Sequence, residues 1–279
     1  VFEHDQQCSK RTVERLHQGM SPLPPYVVFS TGESWKQVAG AYGAAVDSRL
    51  SISPLTGMAQ QIVGPLRSRR EVVQRLLRYL HSEVRYTAVE LGEAALMPRS
   101  PAETLGRKFG DCKDQATLLV GLLRDLGMPA YVALMRTGVR NDVERNLPGL
   151  GLFDHAIVYL PPTSQRGRAD GPAMWVDPTV EYGQSDELPF EEHGRLALVA
   201  SPGTTALIET PMLGAIGNRV RETREIYLAE YGPARIVETT EAWGSAAQEL
   251  RQQIRKLLDE KNLEKKFRKY ADRKSTRLN

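Results

Sequence analysis

Apolar residues recur at helical spacing in three stretches of this chain and at strand spacing in several others. In "GESWKQVAGAYGAAVDSRL", Trp35, Val38, Ala39, Tyr42, Val46 and Leu50 share one face behind Ser34, a favourable N-cap, and a helix is predicted. "SRREVVQRLLRYLHSEVRY" carries a second stripe of Val73, Leu76, Leu77, Leu80 and Val84 opposite an arginine-rich face. The third stretch, "CKDQATLLVGLLRDLG", is apolar nearly all round, through Ala116, Leu118, Leu119, Val120, Leu122, Leu123 and Leu126, until Gly127 and Pro129 stop it. A helix with no polar face belongs at the centre of a core.

Strands are predicted at 84–91, 130–137, 153–160, 173–179 and 196–200. Helices precede strands rather than alternating with them, which favours an α+β domain with an antiparallel sheet. The pattern changes at 210–219. Beyond it, "VRETREIYLAEYG" and "ARIVETTEAWG", joined at Gly232-Pro233, read as a hairpin of a second, β-rich unit. A charged helix follows from Ala246, with Leu250, Ile254, Leu257, Leu258, Phe267 and Tyr270 as its apolar positions. The expected organisation is an upstream tail and linker over 1–30, a core over 31–210, and part of a β-rich unit with its helix over 211–279. The final "RKSTRLN" is polar and patternless and is left outside the fold.

Composition adds limits. The chain has 279 residues, 41% hydrophobic and 25% charged, with a net charge of +3. That charge is too small to argue for nucleic acid, and the arginine-rich helix face lacks the interleaved aromatics of a nucleic-acid surface. No apolar run approaches the roughly 18–20 residues that cross a membrane. Beginning at Val1 without a signal-peptide pattern, the sequence reads as an internal piece of a longer chain, and the compartment stays open. Two cysteines, Cys8 and Cys112, make no disulfide framework.

Cys112 sits in "FGDCKDQATLL", where Asp111 is a plausible N-cap and Asp114 lies in the first turn. The amino end of a buried helix favours an anion, Lys113 adds positive charge, and a thiol there is expected to ionise more readily. The alternative is an inert packed cysteine. A thiolate nucleophile needs a base close by. Of His4, His17, His81, His155 and His193, only His155 lies in a strong strand. The segment between the strands at 153–160 and 173–179 reads as a hairpin loop centred on Arg166, so facing residues sum to 332. That places His155 opposite Asp177, the partner an imidazole needs for orientation, and turns Asp154 to the other face. A metal site is the chemical rival, but a structural zinc wants a fourth ligand, and Cys8 and His193 stand in weak contexts; no metal and no cofactor is expected.

"GDCKDQATLL", "FDHAIV" and "WVDPT", in this order, resemble the transglutaminase-like superfamily, and "YTAVELGEAALMPRSPAETLGRKFGDCKD" and "GRLALVAS" are similar to its bacterial branch. The likeness runs over roughly residues 25–205. It implies a papain-like α+β core whose central helix opens with the nucleophile Cys112, with His155 as general base and acid and Asp177 as orienting carboxylate. It implies acyl transfer at peptide or protein amides through a thioester, to water or to an amine, in a periplasmic or cell-envelope setting. The oxyanion would be held by the Cys112 N–H and an upstream donor, for which Tyr86 is the candidate. A catalytically silent scaffold for protein assembly is the alternative function.

Overall fold

The computed structural model describes residues 29–258, apart from 53, 66–67, 89–95, 138–141, 166–167, 182, 186, 213, 215–216 and 233. The tail at 1–28, with His4, Cys8 and His17, and the helix positions Phe267 and Tyr270 lie outside the described residues.

Three helices come first: α1 (Trp35–Ile52), α2 (Met58–Val63) and α3 (Arg69–Glu83). Ser34 caps α1, its Oγ accepting the Gln37 N–H at 3.2 Å. Trp35, Ala39, Tyr42 and Val46 of α1 are buried, as are Val73, Leu76, Leu77 and Leu80 of α3, so both predicted stripes face the core. The predicted strand over 84–91 is reduced to β1 (Arg85–Tyr86), while 89–91 fall outside the described residues. β1 pairs in parallel with β2 (Phe109–Gly110), which follows α4 (Pro101–Arg107).

The central helix is α5 (Cys112–Asp125). Leu118, Leu119, Leu122 and Leu123 have no exposed surface, each contributing roughly 1.5–3 kcal/mol on burial. α5 packs on β3 (Tyr131–Met135) and β4 (His155–Leu160) of a five-stranded antiparallel sheet. Its order is β7-β4-β3-β8-β9, with β7 (Met174–Val176), β8 (Leu196–Val199) and β9 (Ile208–Glu209). Alternation assigns Val132, Leu134, Ala156, Val158 and Leu198 to the α5 side. Ala133, Met135, Ile157, Trp175 and Val199 form a smaller second cluster on the other side, closed by Leu188.

β4 and β7 are joined by a ribbon of β5 (Thr163–Gln165) and β6 (Arg168–Gly171). Arg69 of α3 holds the neck of this ribbon, donating from Nη2 to the Pro161 carbonyl at 2.7 Å and from Nη1 to that of Pro172 at 2.9 Å. Arg70 and Arg75 likewise donate to Gln184 Oε1 and to the Ile62 carbonyl, so the arginine-rich face ties loops to α3.

Beyond the sheet, β10 (Val220–Tyr227) and β11 (Arg235–Ala242) form the predicted hairpin, in an unbroken register from Val220↔Ala242 to Tyr227↔Arg235. α6 (Ser245–Leu258) follows, and its Arg251 pairs with Glu187 at 3.1 Å. Among the described residues no helix is long and apolar enough to cross a membrane.

Candidate active site

Cys112 is the first residue of α5, and its neighbours explain how it is held there. The Asp111 Oδ1 accepts the N–H groups of Lys113 at 2.9 Å and Asp114 at 3.1 Å, while Asp114 Oδ2 accepts the Asp111 N–H at 3.4 Å, a reciprocal capping box. Asp114 is 1% exposed and also takes the Arg99 N–H at 2.8 Å and the Arg99 guanidinium at 2.9 Å. Gly110 has no room for a side chain: a Cβ there would stand 2.7 Å from the Asp114 Cβ. The Lys113 ammonium pairs with Asp111 Oδ2 at 2.9 Å, so the positive charge expected near the thiol is balanced locally.

His155 opens β4 and stands at the end of the sheet. Its Nε2 lies 3.2 Å from Asp177 Oδ2 and 3.4 Å from Glu192 Oε1. Cys112 and the His155 ring line the same cavity, and the thiol contributes to the ring's electrostatics. Burial pulls the His155 pKa down. The charge and hydrogen bond of Asp177, with the bonds from Cys112 and Glu192, outweigh it and hold the ring well above the ordinary imidazole value.

The register that brings His155 and Asp177 together differs from the predicted one. Val158↔Val176 and Leu160↔Met174 sum to 334, not 332. The ribbon turns between Gln165 and Arg168, giving 333, and a bulge between Thr163↔Gly171 and Ser164↔Ala169 skips position 170 and adds one more. The two steps keep the parity, so His155 and Asp177 share a face but meet diagonally, with Asp177 just past the end of β7.

Asp177 is fixed by the chain after it. The Thr179 N–H and hydroxyl both donate to Oδ1 at 2.8 Å, and His81 Nε2 meets the Pro178 carbonyl at 2.7 Å. Burial raises the Asp177 pKa, but the His155 charge and these hydrogen bonds take it down to about 2. Asp154 turns away, accepting the Thr137 N–H and hydroxyl at 2.8 and 3.1 Å. His193 directs its ring to the Leu188 carbonyl, and burial lowers its pKa.

A cavity of about 160 Å³ opens beside the thiol, lined by Tyr42, Leu134, Phe153 and His155 among others. Tyr42 is 2% exposed and its hydroxyl has no hydrogen-bond partner. Burial, then the neighbouring Cys112 and acidic groups, push its pKa far up, so it stays protonated and able to donate. Tyr86, the sequence candidate for this role, is 48% exposed and lines a separate depression with His81 and Thr179. Among the described residues, His155, Asp177 and Glu192 are the group whose donor atoms could surround a cation, all within 4.8 Å. They offer three donors already engaged with one another. Cys112 is not among them.

The structure therefore brings Cys112, His155 and Asp177 together and does not bring Tyr86 to them. It adds Tyr42, legible in sequence only as a core position, and Glu192, which the acidic run "FEEHGR" disguises as solvated surface. A crystal structure of a candidate protease from Parabacteroides distasonis is similar over 66% of this chain and 32% of its own, at 17% identity and a TM-score of 0.48. That of a candidate cysteine protease from Cytophaga hutchinsonii is similar over 68% and 50%, at 17% identity and a TM-score of 0.36. The chain thus spans about a third of the first protein and half of the second. No curated protein sequence matches it. Residues 56–183, the segment that holds Cys112, His155 and Asp177, match the transglutaminase-like superfamily.

Proposed function

We propose that this chain is a cysteine-dependent acyl-transfer enzyme acting on peptide or protein amides. The observation that carries the reading is the His155 ring, which meets the Cys112 thiol on one side and the Asp177 carboxylate on the other. In the neutral ring, Nε2–H donates to Asp177 and Nδ1 accepts the thiol proton. The thiolate attacks the amide carbon; the imidazolium then gives its proton to the leaving amine, and a thioester remains on Cys112. Water or a second amine, deprotonated by His155, releases the acyl group.

The oxyanion of each tetrahedral intermediate needs donors fixed in advance. The capping box occupies the Lys113 and Asp114 N–H groups, and the Gln115 N–H goes to the Asp111 carbonyl. Among the described residues the Cys112 N–H has no acceptor, which supports it as the first donor. Tyr42 is better supported than Tyr86 as the second, because its hydroxyl is unpartnered and lines the thiol's cavity. Tyr42→Phe is expected to slow acylation by about 10²–10³-fold, as the loss of one such donor does, without lowering the urea unfolding midpoint. Tyr86→Phe is expected to leave the rate unchanged. Equal effects on rate would reject this assignment.

The direct test is incubation with a peptide library followed by intact-mass measurement. A mass increase that maps to Cys112 and is lost in Cys112→Ala identifies both nucleophile and acyl donor. A Cys112→Ala protein that keeps full activity rejects the enzyme and leaves the scaffold reading.

A further inference from the structure

We propose that Glu192 and Asp177 form a carboxyl pair holding one proton beside His155, with Asp177 the ionised partner that orients the ring and Glu192 a neutral positioning residue. The proposal rests on the reading of Cys112 as nucleophile.

The geometry is that of two acids against one base. The Asp177 and Glu192 oxygens approach the same Nε2 at 3.2 and 3.4 Å, and their side chains are 3% and 4% exposed. The groups facing Glu192 are His155 from β4 and Asp177 beyond β7, with Cys112 of α5 across the ring. On its own segment, His193 turns to Leu188 and Glu191 is exposed. Two buried carboxylates against one imidazolium would leave a negative charge without compensation, so the pair keeps a proton.

The hydrogen bonds decide which acid keeps it. Asp177 Oδ1 receives two donors from Thr179 and Oδ2 faces the His155 ring. Glu192 Oε2 is buried without any donor. The charge therefore sits on Asp177. Burial and then the Asp177 charge raise the Glu192 pKa well above the ordinary carboxyl value, in keeping with this division.

The consequence for catalysis is a balance. With Glu192 neutral, the imidazolium is opposed by one carboxylate and can pass its proton to the leaving amine. A second charge on Nε2 would hold that proton more tightly and slow the step.

The experiment compares wild type, Glu192→Gln and Asp177→Asn by iodoacetamide alkylation of Cys112 at pH 7 and by urea unfolding from pH 4 to pH 8. In the unfolded chain Glu192 ionises above about pH 4.3, whereas in the fold it keeps its proton. Unfolding then releases a proton, and wild-type stability falls as pH rises through that window. Glu192→Gln lacks this loss. Its folded-to-unfolded ratio is expected to gain on wild type by up to tenfold per pH unit. Asp177→Asn is expected to slow alkylation at least tenfold more than Glu192→Gln. Equal slowing, or a stability difference flat with pH, overturns the assignment. Should Glu192→Gln fail to fold, infrared detection of a buried carboxylic-acid carbonyl in wild type at pH 7 supports the shared proton, and its absence overturns it. The unfolding and infrared readouts do not depend on Cys112, so failure of the acyl-enzyme reading is seen separately, as a missing adduct.

Discussion

The substitution His155→Ala is expected to slow the proposed acyl transfer by about 10²–10⁴-fold, the span contributed by a positioned general acid–base group. The expectation has two physical parts. On the proposed mechanism the ring accepts the thiol proton and later delivers it to the leaving amine, and among the described residues the other imidazoles, His81 and His193, are engaged with the Pro178 and Leu188 carbonyls. The ring also supplies charge. Burial opposes that charge, but Asp177 outweighs it and holds the ring's pKa well above the ordinary value, so the ring takes up a proton readily. Without it, Cys112 alkylation at neutral pH is expected to slow. Iodoacetamide labelling followed by intact mass across pH 5 to 10 measures this directly. A profile unchanged by the substitution would remove the activated thiol from the mechanism.

Asp114→Ala has the largest expected effect on stability, about 3 kcal/mol, the lower end for breaking a buried ion pair because Arg99 is partly exposed. Asp114 is a shared acceptor: it takes two bonds from Arg99 and one from the Asp111 N–H. Alanine takes that acceptor from the Asp111 and Arg99 N–H groups, leaves the Arg99 guanidinium with Glu103, and opens the capping box at the turn that carries Cys112. The urea midpoint should fall accordingly, and Cys112 alkylation should slow as the first turn of α5 loosens. A loss below about 1 kcal/mol, the usual worth of a cap alone, would mean that Arg99 contributes nothing there.

The helices were readable because each buries a stripe whose period is set by the backbone itself. The cap at Asp111 was readable for a similar reason, since a carboxylate ahead of an apolar run has few other uses. The sheet register was not. It depends on a bulge at position 170, and a skipped residue leaves no mark in hydropathy. That the diagonal pair still formed follows from parity, because an error of two residues returns a strand to the same face. Glu192 was hidden by a local inversion. In the 3₁₀ turn Phe190–Glu192, Phe190 is 62% exposed and Glu192 is 3% exposed, the reverse of what polarity suggests. Tyr86 was the candidate as a residue of the strand preceding the central helix; that strand is two residues long and Tyr86 is 48% exposed, while Tyr42, seventy positions upstream of Cys112, reaches the cavity through helix packing.

Arg69 bears on how such a site can change over time. Its two bonds to the Pro161 and Pro172 carbonyls close the neck of the β5–β6 ribbon on the side nearest β4 and β7. By tying both ends of the ribbon to α3, Arg69 supports the β4–β7 pairing beside which His155 and Asp177 meet. A change of length at the far end of the ribbon is therefore expected to leave that pairing in place. A short tag set at that end is thus expected to ride on the molecule without parting His155 from Asp177.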